Sequence, residues 1–128
     1  MSLTVPNDLL DQAKTGDVDD AAFLACVRDS LPYAWSLISD LVRQRTETGA
    51  LFADNHTPPP SEEARGELLR CLASDAMRGA LERHFGVRLA FQNCHRVAVF
   101  DPTATKELAD FVTPRAQILN QKPELVDC

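Results

Sequence analysis

From Val18 to Phe85 the apolar residues of this chain recur every three or four positions, and from Val87 to Val99 every second position, with Gly86 at the change. A period near 3.6 marks a helix with one buried face, and a period of two marks a strand. The expected class is therefore α+β, mainly α: a helical bundle with one antiparallel β-hairpin near the C-terminal third. Two strands alone are marginal in water, so the hairpin must lie against the helices or pair with another chain.

The helical part divides at signals of its own. Pro6 to Lys14, with Asn7 as cap and Gly16 as stop, reads as a first helix. A second is expected over Asp19 to Ser30, opened by Asp17 and Asp20 as a capping-box pair. Ser30 is then expected to cap a third, with Pro32 in its first turn, Leu37, Ile38, Leu41 and Val42 on one stripe, and Gly49 at its end. Phe52 to Pro60, FADNHTPPP, cannot continue a helix and reads as an extended, polyproline-like connector. Ser61 opens a long helix over 61–85, with a break expected near Ser74-Asp75. Strands follow at 87–92 and 96–100. Thr103 is expected to cap a helix through Phe111, Thr113-Pro114 to open another through Leu119, and residues 121–128 to form a tail.

The chain of 128 residues is read as a single domain, 1–128, with 45% hydrophobic and 25% charged residues. That length buries about two thirds of the unfolded surface, enough for a core without staples. The net charge of -6 works against phosphate backbones and anionic lipid. No apolar stretch approaches the ~20 residues of a membrane span, and MSLTVPNDLLDQ lacks a basic segment followed by an apolar run, so a cytoplasmic protein is expected. In a reducing compartment Cys26, Cys71, Cys94 and Cys128 are expected as thiols, since their spacing holds no C-x-x-C pair.

The strings FADNHTPPPSEEARGELLRCLASDAMRGALERHFGVRLAFQNCHRVAVF and RAQILNQKPELVDC resemble a family of short, uncharacterised actinobacterial proteins, and the likeness covers nearly the whole chain. The resemblance implies a bacterial cytoplasmic protein. It implies no activity, cofactor or catalytic residue.

Cys94-His95-Arg96, within FQNCHRV, is the densest run of reactive side chains, and a hairpin tip would expose it. A neighbouring positive charge favours the thiolate, but adjacent strand residues point to opposite faces, so Cys94 and His95 meet only if the turn bends between them. Zinc would need three or four ligands from Cys, His or carboxylate, and the candidates Cys26, His56, Cys71, His84, Cys94, His95 and Cys128 lack metal-site spacing. Cys26 and Cys71 lie on apolar helical stripes and read as core thiols. His84 sits at a helix C-terminus, and His56 beside the prolines reads as a solvated loop residue. Tyr33 and Trp35 read as packing groups.

Charge is uneven: residues 1–64 carry 4 basic and 11 acidic groups, residues 65–100 carry 6 and 3. Arg65, Arg70, Arg78, Arg83, Arg88 and Arg96 followed by a hairpin have the elements of a winged helix. Glu67, Asp75 and Glu82 stand at pairing distance along the helix and absorb much of that charge. Phosphate-binding glycine loops, a zinc-protease helix and a nucleophile elbow are absent from the sequence, and Asp19-Asp20 and Glu62-Glu63 read as helix N-terminal acids.

The expectation is a non-catalytic interaction or regulatory protein, a homodimer with an unidentified protein partner and no cofactor, metal, nucleic acid or membrane. Its contact surface is placed at Asp54, Asn55 and His56 of the connector and Asn93, Cys94, His95 and Arg96 of the hairpin tip. The alternatives are a small-molecule or metal-binding protein or enzyme using Cys94-His95-Arg96, and a winged-helix-like nucleic-acid binder using the arginines of 65–96.

Overall fold

The computed structural model describes residues 3–121. Seven helices and three strands follow one another among them: α1 (Asn7–Thr15), α2 (Asp20–Ser30), α3 (Pro32–Thr48), β1 (Phe52–Asp54), α4 (Glu62–Leu72), α5 (Asp75–Phe85), β2 (Arg88–Gln92), β3 (Arg96–Phe100), α6 (Thr105–Phe111) and α7 (Pro114–Leu119). The α+β, mainly α class is as the two periods require. Most of the expected tail, with Pro123, Leu125 and Cys128, lies outside the described residues.

The punctuation residues act where local chemistry needs them. Asp19, Ser61, Ser74 and Thr113 each accept a backbone N–H from the residue three further on, as N-caps do. Gly49 and Gly86 end α3 and α5 at φ of 70° and 64°, the left-handed region that spares glycine the cost borne by a side chain. Ser74 splits the expected 61–85 helix into α4 and α5, because its hydroxyl satisfies the Met77 N–H that would otherwise bond back along one continuous helix.

Four local expectations are corrected. The cap of α2 is Asp19, not Asp17, since its side chain is the one that reaches Ala22 N. Ser30 does not open α3; its hydroxyl accepts the N–H of Thr4, 26 residues away, and Pro32 opens the helix after Leu31. Thr103 does not cap α6; its hydroxyl and N–H both go to Asp101. The stretch 52–60 is not only a connector, because its first three residues form β1 and pair with the hairpin.

The sheet order is β1-β3-β2, antiparallel throughout, with Phe52 opposite Phe100 and Arg88 opposite Phe100 on the other side. The hairpin thus gains the third strand that two strands alone lack. Side chains alternate between the two faces of the sheet. Ala53, Leu89, Val97 and Val99 pack with Leu24, Val27, Leu31, Ile38, Leu68 and Leu81 in the main core, on the bundle side. Ala90, Ala98 and Phe100 form a second cluster with Ala104, Leu108 and Phe111 under α6. Both faces are covered, which is why Val97 to Phe100 is an unbroken apolar run.

Candidate functional site

The connector and the hairpin tip, expected as two contact segments, form one structure. Past Asp54 the chain continues along β3: Asn55 N donates to Val97 O at 3.2 Å, and the Asn55 side chain accepts from Val97 N at 2.6 Å and donates to His95 O at 2.8 Å. An asparagine amide can replace a peptide unit in this way because it carries the same donor and acceptor. Asn55 is buried and holds the strand in register.

Beside it, Asp54 and Arg96 form an ion pair, with Nη2–Oδ2 at 2.6 Å and Nε–Oδ2 at 3.0 Å. Their side chains are only 12% and 15% exposed, so the charges are spent on each other. His56 reaches back to the other carboxylate oxygen, Nε2–Oδ1 3.2 Å, from a ring 75% exposed. It is the solvated loop residue expected.

The tip is less available than expected. Asn93 and Cys94 take φ of 53° and 46°, a turn that closes the hairpin and suits Asn. Cys94 is disulfide-bonded, which corrects the expectation of four thiols and removes it as a thiolate nucleophile or ligand. His95 is 2% exposed, with Nδ1 against the Asn93 carbonyl, so it is a core side chain and not an exposed partner for Cys94. Asn93 is engaged with Gln117, its Nδ2 donating to the Gln117 carbonyl at 3.0 Å. Gln92 donates to Phe111 O at 2.8 Å and accepts from Asn120 at 2.7 Å. The tip is thereby strapped to the end of α6 and to α7.

Between this strap and β1 the cover of the sheet is incomplete, leaving a cavity of about 340 Å³. Phe52, Phe100 and Phe111 supply its aromatic surface, with Phe52 stacked on Phe100 at 5.5 Å and Phe100 edge-on to Phe111 at 5.6 Å. Asp54 and Arg96 line it from the sheet, Glu107 and Asp110 from α6, and Arg115, Leu119 and Asn120 from α7 and its end. Asn55, His56, Asn93, Cys94 and His95 frame the region without lining the cavity. Sequence reasoning missed Glu107, Asp110, Arg115 and Leu119. The available signal was the apolar pair Ile118-Leu119 in a helix too short to bury both.

The remaining candidates resolve as packing. Cys26 and Cys71 are buried free thiols, and burial, with Glu67 adding repulsion, pushes Cys71 up to about 12. Trp35 lies against His84 and Phe85 with ring centroids 5.6 and 5.4 Å away. Tyr33 packs on the main core. Arg65, Arg78, Arg83, Arg88 and Arg96 are all ion-paired, with Glu62, Asp75, Asp20, Glu82 and Asp54. The hairpin is sandwiched between helical layers, unlike a projecting wing. Among the described residues no three His, Cys, Asp or Glu side chains converge as a metal site, and no described helix is long and apolar enough to cross a membrane.

No curated protein and no solved structure matches the chain. Residues 1–128, the whole length, match the model of a family described as NucS shadow ORF, a description that names a reading frame and no activity. The chain, with its small three-stranded sheet set between a helical bundle and a two-helix cover, belongs to that NucS shadow ORF family.

Proposed function

We propose that the protein is a non-catalytic binding protein with a regulatory role exerted as a homodimer. The observation that carries the reading is the Asn55 stitch. It joins the two candidate contact segments into one continuous surface, and that surface borders the aromatic cavity. Cavities of this size between a sheet and its cover suit small ligands. The reactive trio supports binding over chemistry, since Cys94 is disulfide-bonded, His95 buried and Arg96 ion-paired.

The outer edge of β2 supports the dimer. Leu89 N–H points away from β3 and is satisfied by Glu82 Oε2 at 2.9 Å. The period of two then turns the Phe91 N–H outward as well, into an open groove walled by α5 and α6. Antiparallel pairing of β2 with its two-fold copy satisfies that edge.

A native mass spectrum of protein isolated without reductant or chelator tests both parts. The expected result is a dimer carrying an organic adduct that Phe52→Asp abolishes. A monomer by mass and by light scattering at micromolar concentration overturns the dimer, and an apo mass in both parent and variant overturns the small ligand. A protein partner on the same face is the second reading, favoured by Ile118 and Leu119, 72% and 64% exposed on α7. It predicts an apo mass together with a co-purifying chain that Ile118→Asp releases.

A further inference from the structure

The charges around the cavity are of two kinds. Asp54 and Arg96 neutralise each other, whereas Glu107, Asp110 and Arg115 form no ion pair among the described residues. Glu107 and Asp110 stand one turn apart on α6, and Arg115 lies in the first turn of α7, which packs against α6. Two unspent carboxylates and one unspent guanidinium therefore open onto a single apolar hollow floored by Phe52, Phe100 and Phe111.

We propose that this cavity binds a small zwitterion with an apolar body, the chemistry of a free hydrophobic amino acid. The proposal rests on the reading of this face as a binding surface and names the ligand class. The ammonium group meets Glu107 and Asp110, the carboxylate meets Arg115, and the apolar side chain lies on the exposed ring of Phe52 and on Leu119. A zwitterion satisfies both signs at once. A simple amine leaves Arg115 unmatched, and a simple acid brings its charge beside two carboxylates. A volume of about 340 Å³ is enough for an amino acid or short peptide.

The test is an amide-resolved NMR titration of the intact protein with L-phenylalanine, 2-phenylethylamine and 3-phenylpropionate, which share one ring and differ in charge. L-phenylalanine is expected to shift Phe52, Phe111 and Leu119, and the amine and the acid to bind about tenfold more weakly. Arg115→Gln should weaken L-phenylalanine about tenfold and leave the amine unaffected, while Asp110→Asn should weaken L-phenylalanine and the amine but not the acid. Both side chains are exposed, so an unchanged melting temperature separates lost recognition from lost folding. Equal binding of all three probes, shifts confined to another part of the molecule, or Arg115→Gln binding like the parent overturns the proposal. A Phe52-dependent adduct in the native mass spectrum, with no response to these probes, overturns the ligand class and leaves the binding face standing. Absence of both overturns the two together.

Discussion

Replacing Asn55 by alanine is expected to be among the most costly single changes outside the apolar core. The side chain holds Val97 N–H and His95 C=O, and these residues are 0% and 2% exposed, so neither group can turn to water when the amide is removed. Each buried group left without a partner costs about 1–3 kcal/mol, giving a loss of about 2–6 kcal/mol for the pair. Its third bond, to Thr57 O at 3.3 Å, lies at an exposed residue and adds little. Against a total stability of roughly 5–15 kcal/mol this is a large fraction. Urea unfolding reads the loss, and hydrogen exchange at the Val97 amide reports whether β1 has detached. Asn55→Asp sharpens the test. It keeps the acceptor for Val97 but sets a carboxylate against the His95 carbonyl, so it should be as damaging at neutral pH and recover in acid, where the protonated carboxyl can donate. A loss below about 1 kcal/mol for Asn55→Ala, with Val97 still protected, would refute the stitch as the element that joins the two segments.

The second face of the sheet makes its own prediction: Ala98, fully buried between β1 and β2, leaves no room for a branched side chain, so Ala98→Leu should cost about 1–3 kcal/mol in urea unfolding. Cys71, pushed up to about 12 by burial, should resist alkylation in the native protein at pH 8 and label only on unfolding, which mass spectrometry with and without denaturant shows. Asp101 is held below the usual carboxylate range, first by the Thr103 hydroxyl and then by the Thr103 amide and Arg45. Its folded value is depressed, so its contribution is complete above the unfolded aspartate pKa of about 3.9 and is lost as pH falls through the lower folded value. Asp101→Asn should therefore flatten part of the acid limb when the urea midpoint is measured between about pH 5 and pH 2.

The helices were legible because their signals are local. The stripe of Leu68, Cys71, Leu72, Ala80 and Leu81, the serine caps at Ser61 and Ser74 and the glycine stops at Gly49 and Gly86 all act within one turn of the residues they order. The break at Ser74 could be foreseen for the same reason. The third strand could not. Nothing within FADNHTPPP marks Phe52 to Asp54 as extended in a sheet, because its pairing partner, Phe100 to Ala98, lies more than 40 residues later, and the amide that continues the ladder belongs to an asparagine, a residue that by type suggests a turn. The tip residues were misjudged in exposure. His95 looked reachable at a hairpin end, and it is buried, with its backbone carbonyl held by the Asn55 amide.

The alternation in β2 and β3 held a second message. In a sheet with one wet face, the residues that alternate with Leu89, Phe91, Val97 and Val99 would be polar; here Ala90 and Ala98 lie between them and Phe100 follows Val99 on the same second face. Small residues on the second face fit only where another layer approaches closely, so those positions require a cover, and α6 with α7 supplies it. The cover is short. Its last helix buries none of its own residues and is held to the sheet by the amides of Gln92, Asn93 and Asn120. The opening lies at the β1 side of the sheet, where Phe52 is left 42% exposed. The cavity is thus a consequence of how the second face is closed. Any variant that lengthens the apolar contact of α7 should shrink it before it changes the bundle beneath.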